Sequence, residues 1–185
     1  MKNRILEAAE KRFFEYGYRK VTMDEIASDL GISKKTLYLH FKSKNAVAIA
    51  VIRALHKDID KLLKQFSIEI PDPVERLGSM ITEVSARLTR IGSLFLADIK
   101  KDIPDLWREC EDYREWKILE YGEAILKEGI RKGKVKKDIN TKIAMLVFLG
   151  AIHAIIQPEV FVKNPFSIDE AYKNILNIFL KGIQK

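Results

Sequence analysis

Three helix boundaries lie close together between residues 22 and 41, and they are the strongest constraint that the sequence places on the fold. Residues 22–25, Thr-Met-Asp-Glu, have the form of a capping box, in which a hydroxyl and a carboxylate bind the free amides of a helix start. Gly31 is suited to end that helix, and Ser33 is suited to cap another one two residues later. The spacing therefore predicts two short helices joined through a glycine turn, which is a helix-turn-helix.

The second of these helices carries polar side chains on its outward face. At about 100° per residue, Leu37 and Phe41 face inward, so that Lys35, Thr36 and Tyr38 face outward or flank the inner face. Lysine and hydroxyl groups offer hydrogen-bond donors to guanine and to phosphates. Because a helix-turn-helix holds its second helix in the major groove, we expect this face to contact DNA.

The charge distribution agrees with a polyanion partner at the N-terminal end. Residues 1–66 contain 14 basic and 8 acidic side chains, whereas the remaining residues contain 19 basic and 18 acidic ones. Four lysines and no acidic residue occur between Gly31 and Lys44. This pattern favours a nucleic-acid contact, and a lysine-rich solvated face is the alternative explanation.

The segment "TMDEIASDLGISKKTLYLHFKSKNAV" resembles the DNA-binding segment of TetR-family transcriptional regulators, and the likeness extends over roughly residues 3–66. By this resemblance, Tyr38, His40 and Lys44 mainly bind phosphates, and Lys34 and Lys35 are the best candidates for contacts with bases. The matching positions that touch DNA in such proteins are Thr22, Ser33, Lys34, Lys35, Thr36, Tyr38, Leu39, His40 and Lys44.

Lys35 and Asn45 depart from the family pattern in this segment, and His40 has an alternative role. Lys35 occupies a place that is often glycine in the family, and Asn45 occupies one that is often glutamate. The change at Lys35 affects the expected base preference, whereas Asn45 changes only the electrostatics of a helix start. By helical angle His40 lies nearer the inner face than Tyr38, so a packed histidine is an alternative to a phosphate contact.

The remaining sequence predicts further helices and no strands, and hence an all-α fold. We expect an N-terminal helix-turn-helix DNA-binding domain of three helices over residues 1–46 and a larger helical effector-binding and dimerisation domain over residues 47–185. Hydrophobic periodicity together with glycine and proline positions predicts the later helices. Their approximate bounds are 44–66, 73–91, 93–103, 105–132, 140–157 and 168–183.

The last two predicted helices are apolar enough to form a homodimer interface. "IAMLVFLGAIHAII" has His153 as its one polar residue, and small side chains along it allow close helix approach. Two helices from each of two chains then form a four-helix contact, as TetR-like proteins do; an intramolecular core helix is the alternative. The expected interface residues are Val147, Gly150, Ala151, Ala154, Ile175, Ile178, Phe179 and Gly182.

An effector pocket is indicated by aromatic and methionine side chains in the larger domain. Such residues suit an adaptable apolar cavity for a small molecule, although ordinary core packing explains them nearly as well. The candidate lining residues are Met80, Phe95, Trp107, Tyr113, Trp116, Tyr121 and Met145.

Other classes of protein find little support in the sequence. We expect no enzyme, because phosphate-binding glycine loops and nucleophile motifs are lacking, and no metal or cofactor, because His and Cys do not cluster. One cysteine and no apolar leader predict a cytoplasmic protein, and no apolar run reaches membrane-spanning length. The expected function is a dimeric repressor that binds a palindromic DNA operator and is released by a small-molecule effector. An effector-independent, nucleoid-type DNA-binding protein is the alternative.

Overall fold

A computed structural model describes residues 1–184, which form α-helices joined by short loops. An isolated bridge between Val135 and Gln184 is the one extended pairing in this range. The all-α prediction is therefore confirmed. The helices are α1 (Lys2–Tyr16), α2 (Met23–Asp29), α3 (Lys34–His40), α4 (Lys44–Glu69), α5 (Pro73–Thr89), α6 (Ser93–Asp102), α7 (Pro104–Arg131), α8 (Thr141–Ile155), α9 (Pro158–Lys163) and α10 (Ile168–Ile183).

The helix bounds agree closely with the predicted ones, and the sequence reading missed one element. Pro158 was expected only to stop the preceding helix, yet it also opens the short helix α9. Proline is suited to the first position of a helix because its missing amide hydrogen would have no partner there. Helix α4 continues to Glu69, beyond the predicted end at Phe66.

The chain divides into two compact units that differ from a simple split along the sequence. The first unit contains residues 1–58 and 90–110, and the second contains residues 59–89 and 111–184. Helices α4 and α7 each begin in the first unit and continue into the second. The functional boundary at residue 46 stays a prediction, since this division groups residues by contact and not by activity.

The first unit has a core made by α1, α2, α3 and α6. Ile5, Phe13, Ile26 and Leu37 are fully buried. Phe95 of α6 is also fully buried and stacks on Phe13, with the ring centroids 5.6 Å apart. Helix α6 is thus part of the packing that holds the N-terminal helices together.

The second unit places α10 against α5 and α8. The buried face of α8 carries Met145, Phe148 and Ile152, and the Phe148 ring lies 5.0 Å from that of Phe179 on α10. Arg76 of α5 has an 11% exposed side chain and pairs with Glu128 of α7 at 2.9 Å. The helices of this unit are therefore joined by apolar packing and by a partly buried ion pair.

Substitution of Gly92 tests the close approach of α6 to α1. A Cβ atom at Gly92 would overlap the carbonyl oxygen of Phe14, whereas a Cβ at Gly78 in α5 has no atom within 4 Å. We expect Gly92→Ala to lower the free energy of unfolding by about 1–3 kcal/mol through steric overlap. The matched change Gly78→Ala is expected to raise it by about 0.5–1 kcal/mol through helix propensity. Urea unfolding followed by circular dichroism measures both, and an unchanged stability of Gly92→Ala contradicts the proposed contact.

Candidate nucleic-acid interface

The turn between α2 and α3 is built by local hydrogen bonds of the kind predicted. Thr22 Oγ1 accepts from the Glu25 amide at 3.2 Å, and the Thr22 amide donates to Glu25 Oε2 at 2.7 Å. These bonds from Thr22 hold the pKa of Glu25 below its usual value. Ser33 Oγ accepts from the Thr36 amide at 3.0 Å. Gly31 has φ of +63°, a left-handed conformation that glycine adopts without strain.

The outward face of α3 is exposed as the sequence predicts. Leu37 is fully buried, whereas Tyr38 is 41% and Leu39 is 77% exposed. Lys35 and His40 are also exposed, so the alternative of a packed His40 does not hold. The caps therefore hold a short helix with basic, aromatic and aliphatic groups directed to solvent.

The side chains of Lys34 and Thr36 already have partners within the protein. Lys34 Nζ lies 2.8 Å from Asp24 Oδ1, and this pairing raises the lysine pKa. Both side chains are more than half exposed, so the pair contributes little stability and can exchange for another anion. The Thr36 hydroxyl is within hydrogen-bonding distance of Ser33 Oγ, at 2.8 Å. Lys35 is thus the more available of the two adjacent lysines.

Lys44 does not project to solvent as the phosphate-binding prediction required. Its ammonium donates to the backbone oxygens of Tyr18 and Val21, both at 3.0 Å, and to that of Arg19 at 3.4 Å. It also lies 4.2 Å from the centroid of the Tyr18 ring. Partial burial lowers the pKa of Lys44. An ammonium has three donors, and here all three have backbone acceptors, which makes Lys44 a cross-link between α4 and the loop after α1.

The loop between α1 and α2 contains two contact residues that the sequence reading missed. The Arg19 guanidinium donates to both carboxylate oxygens of Asp102 at 2.6 Å, and the Arg19 amide donates to Asp98 at 2.9 Å. The Tyr18 hydroxyl donates to Asn45 Oδ1. The Arg19 partners lie 79 and 83 positions away in the sequence, so no local pattern could reveal them.

The predicted effector-pocket residues do not form one set. Phe95 and Trp107 belong to the first unit, where Phe95 packs on Phe13 and Phe14 as a core residue. Met80 and Met145 are buried in the second unit. Trp116 is 56% exposed, with Lys117 Nζ 3.9 Å from its ring centroid.

Tyr113 and Tyr121, the remaining members of that predicted set, also approach the ammonium of Lys117. Their ring centroids lie 5.7 and 5.5 Å from Lys117 Nζ. The Tyr113 hydroxyl donates to Asp60 Oδ1 at 3.0 Å, and Lys117 Nζ is 2.9 Å from the same atom. Within the second unit these side chains form a polar cluster around Asp60, which differs from an apolar lining.

The predicted dimer residues include a large exposed apolar group. Val147 and Ile178 are 63% and 74% exposed, and Gly150, Ala154 and Gly182 are exposed as well. Ala151 and Phe179 are half-buried, whereas Ile175 is 7% exposed and belongs to the core. The sequence reading missed Ile143 and Leu146, which are 59% and 47% exposed on α8. Helix α8 therefore has one buried face and one apolar face open to solvent.

Residues 1–184 contain no group of three or more His, Cys, Asp or Glu side chains arranged to hold a metal ion. Within the same range, no helix is both long and apolar enough to cross a bilayer. The exposed face of α3 remains the most distinctive candidate site.

Comparison with known proteins agrees with this geometry. The family model "Bacterial regulatory proteins, tetR family" matches residues 5–51, which contain α1, α2, α3 and the start of α4. The HTH-type transcriptional regulator SAR2658 of Staphylococcus aureus is 29% identical over 189 residues, with 100% of this chain and 95% of the relative covered. The uncharacterized HTH-type regulator YvaF of Bacillus subtilis is 24% identical and covers 99% of this chain and 95% of its own.

A solved structure extends the similarity to the whole fold. A transcriptional regulator from Cytophaga hutchinsonii superposes with a TM-score of 0.78 at 25% identity, covering 98% of this chain and 97% of its own. Both the N-terminal match and the full-length relatives concern transcriptional regulators and not enzymes. Residues 5–51 thus match the TetR-family model, and over its full length the chain is similar to DNA-binding transcriptional regulators.

Proposed function

We propose that this protein is a ligand-responsive repressor that binds a palindromic operator as a homodimer. The observation that carries this proposal is the exposed face of α3, held by the Ser33 cap and by burial of Leu37. Family members are typically repressors that respond to ligands, and this supports the direction of regulation. The proposed location is the cytoplasm, because a bacterial regulator must reach the chromosome to bind its operator.

Lys35 is the proposed reader of base edges. It is exposed, and its ammonium can donate to guanine O6 and N7 in the major groove. Leu39 supplies apolar carbon that suits a thymine methyl group, and Tyr38 and His40 donate to phosphates at the edges of the same face. Thr22 and Ser33 stand at helix starts, where backbone amides favour phosphate oxygens. Lys44 is assigned a positioning role through its carbonyl contacts.

A second copy of this chain is the proposed occupant of the exposed apolar face of α8 and α10. Val147 and Ile178 are large apolar side chains left in water by the single chain, and glycines beside them permit close helix approach. A two-fold pairing presents two α3 helices, and these can enter successive major grooves only when they are about 34–36 Å apart. The proposed dimer therefore requires an operator with two half-sites at this separation.

Effector control is proposed to act through this spacing. Within the first unit, Arg19 joins the loop after α1 to Asp98 and Asp102 of α6. A shift of α6 therefore moves the N-terminal helices with it. An effector that prefers the wrongly spaced state by about 1–3 kcal/mol lowers DNA affinity by roughly 5- to 150-fold.

Selection from random duplex DNA tests the proposed function directly. The full chain is incubated with a randomised library, and bound duplexes are recovered and sequenced over several rounds. We expect enrichment of one inverted repeat whose half-sites lie on the same face of the duplex. Recovery of unrelated sequences bound with equal affinity contradicts operator recognition and favours the nucleoid-type alternative.

Substitution of Lys35 separates base reading from general attraction. We expect Lys35→Ala to lose about 1–3 kcal/mol of discrimination at one base pair, because one direct donor to a base edge is removed. Lys61→Ala, an exposed lysine of α4 in the second unit, is the control and should leave selectivity unchanged. Fluorescence anisotropy with matched and single-mismatch duplexes at several salt concentrations measures both. If the Lys35→Ala variant discriminates between matched and mismatched duplexes as well as the parent does, Lys35 does not read a base.

Substitution of Lys44 tests its role as a cross-link. We expect Lys44→Met to lower the free energy of unfolding by about 1–3 kcal/mol, because the carbonyls of Tyr18 and Val21 lose their charged donor. Lys42→Met, at an exposed position before α4, should unfold like the parent. Urea titration provides the measurement. If Lys44→Met loses DNA affinity without losing stability, the side chain binds phosphate and the positioning role is wrong.

Substitution of Val147 tests the dimer surface without disturbing the core. Val147 is 63% exposed in the single chain, so Val147→Asp should fold but bury an unpaired carboxylate in the dimer, which costs several kcal/mol. Ile68→Asp, at an apolar position that is 84% exposed on α4, is the matched control. Sedimentation equilibrium is expected to show monomers only for Val147→Asp. If Val147→Asp still forms a dimer and binds DNA normally, the dimer interface lies on another surface.

A further inference from the structure

A buried arginine on α7 has hydrogen-bond donors that the protein does not use. The Arg114 side chain is 17% exposed. Its Nε and Nη2 atoms are fully buried, and no residue in the described range 1–184 accepts a hydrogen bond from either. Glu111, one turn earlier, has Oε1 3.7 Å from Nη2, which is too long for a hydrogen bond. An arginine stays protonated in proteins, so this charge is buried at a cost in free energy.

The two unused atoms lie on the edge of the guanidinium that binds carboxylates. Nε and Nη2 together donate two parallel hydrogen bonds to the two oxygens of one carboxylate. In Arg53 both donors lie 2.9 Å from the oxygens of Glu109. Arg114 presents the same edge, and no protein carboxylate lies within hydrogen-bonding distance of it in the described range. The same two-point geometry occurs in the pairs Arg12–Asp29 and Arg19–Asp102.

The surroundings of Arg114 combine one hydroxyl with apolar groups. Tyr172 of α10 is 5% exposed, and burial raises its pKa, while the charge of Arg114 and a hydrogen bond from the Arg114 side chain oppose that rise. Along α7, Ile118 and Ile125 follow Arg114 at helical spacing and share its face. Ile125 is 4% exposed. A charged edge and a phenol therefore stand at one end of a largely apolar stripe.

We propose that Arg114 binds the carboxylate group of a small-molecule effector that has an apolar body, with the Tyr172 hydroxyl donating a further hydrogen bond. The ligand carboxylate accepts from Nε and Nη2, and the apolar body lies along the α7 stripe. The effector role of this ligand rests on the proposed function, whereas the binding site itself rests on the geometry of the second unit.

Charge balance favours a carboxylate over a phosphate at this position. Glu111 Oε1 lies 3.7 Å from Arg114 Nη2, so the protein already places one negative charge near the guanidinium. A carboxylate ligand adds one further negative charge beside this pair, whereas a phosphate dianion adds two and is repelled more strongly. The planar carboxylate also matches the two donors without an unused third oxygen.

Small carboxylates test the site without knowledge of the natural effector. Calorimetric titration of the full chain is carried out with octanoate, with the neutral octanamide, and with inorganic phosphate; propionate and propionamide repeat the comparison for a ligand of minimal size. We expect the carboxylates to bind more tightly than their amides, and octanoate more tightly than propionate. Failure of both carboxylates to bind better than their amides overturns the proposal, as does tighter binding of phosphate.

Variants at three positions assign the binding to the guanidinium edge. Arg114→Gln is expected to weaken octanoate binding by about 10- to 100-fold, because two charge-assisted hydrogen bonds are lost. Arg114→Lys keeps the charge but not the two-point geometry, and should also bind weakly. Arg108→Gln, an exposed arginine on the same helix, is the control and should bind like the parent. Equal octanoate binding by Arg114→Gln and the parent overturns the assignment.

Thermal unfolding and DNA binding supply two independent readouts. Arg114→Met removes a buried charge without an acceptor, so its unfolding midpoint without ligand is expected to rise above that of the parent. A fall in the midpoint means that protein groups already satisfy the guanidinium, and this overturns the proposal. Arg114-dependent octanoate binding that leaves operator affinity unchanged supports the site and contradicts the proposed effector control.

Discussion

The packing of α6 against α1 is the contact on which the first unit depends. Gly92 lets the start of α6 approach the carbonyl of Phe14, which a side chain at this position would obstruct. Phe95 then reaches Phe13 in the core, and Arg19 binds the carboxylates of α6. A helix distant in sequence thereby becomes part of the unit that carries α3. Any movement of α6 consequently affects α1 and the loop that follows it.

The lysines near α3 are of one residue type, but they differ in their interaction partners. Lys44 is used inside the protein, where backbone carbonyls accept its three donors. Lys34 has an exposed carboxylate beside it, which DNA phosphates can replace because such surface pairs are weak. Lys35 is exposed on the outward face. A count of positive charges therefore overstates the number of freely exposed lysines near α3, and the exposure of Lys35 supports its proposed role as a reader of base edges.

The second unit departs from an ordinary monomer core in two ways. Its surface carries a group of large apolar side chains on α8 and α10, which a single chain leaves in contact with water. Its interior contains Arg114, whose Nε and Nη2 atoms lack acceptors among the described residues. Buried polar groups are normally paired, and this supports the proposal of an anionic ligand at Arg114. The exposed apolar surface likewise supports the proposal that a second copy of the chain covers it.

The sequence by itself determined the helices and the exposed face of α3. The caps at Thr22 and Ser33 bind backbone amides three residues away, and Gly31 adopts a left-handed conformation by itself. These interactions are local, so they do not depend on the rest of the chain. Periodicity likewise placed Leu37 inside and Tyr38 outside, because helix geometry fixes which positions share a face. These local rules gave the helix-turn-helix and nearly all helix bounds.

Only the tertiary structure decided which partner each side chain meets. Arg19 pairs with a carboxylate 83 positions away, Phe95 joins the N-terminal core, and Lys44 turns inward. The sequence does not distinguish Arg114 from an exposed helical arginine, because the burial of its Nε and Nη2 atoms depends on tertiary packing. Such properties depend on how distant segments pack, and neither residue type nor spacing encodes that packing locally.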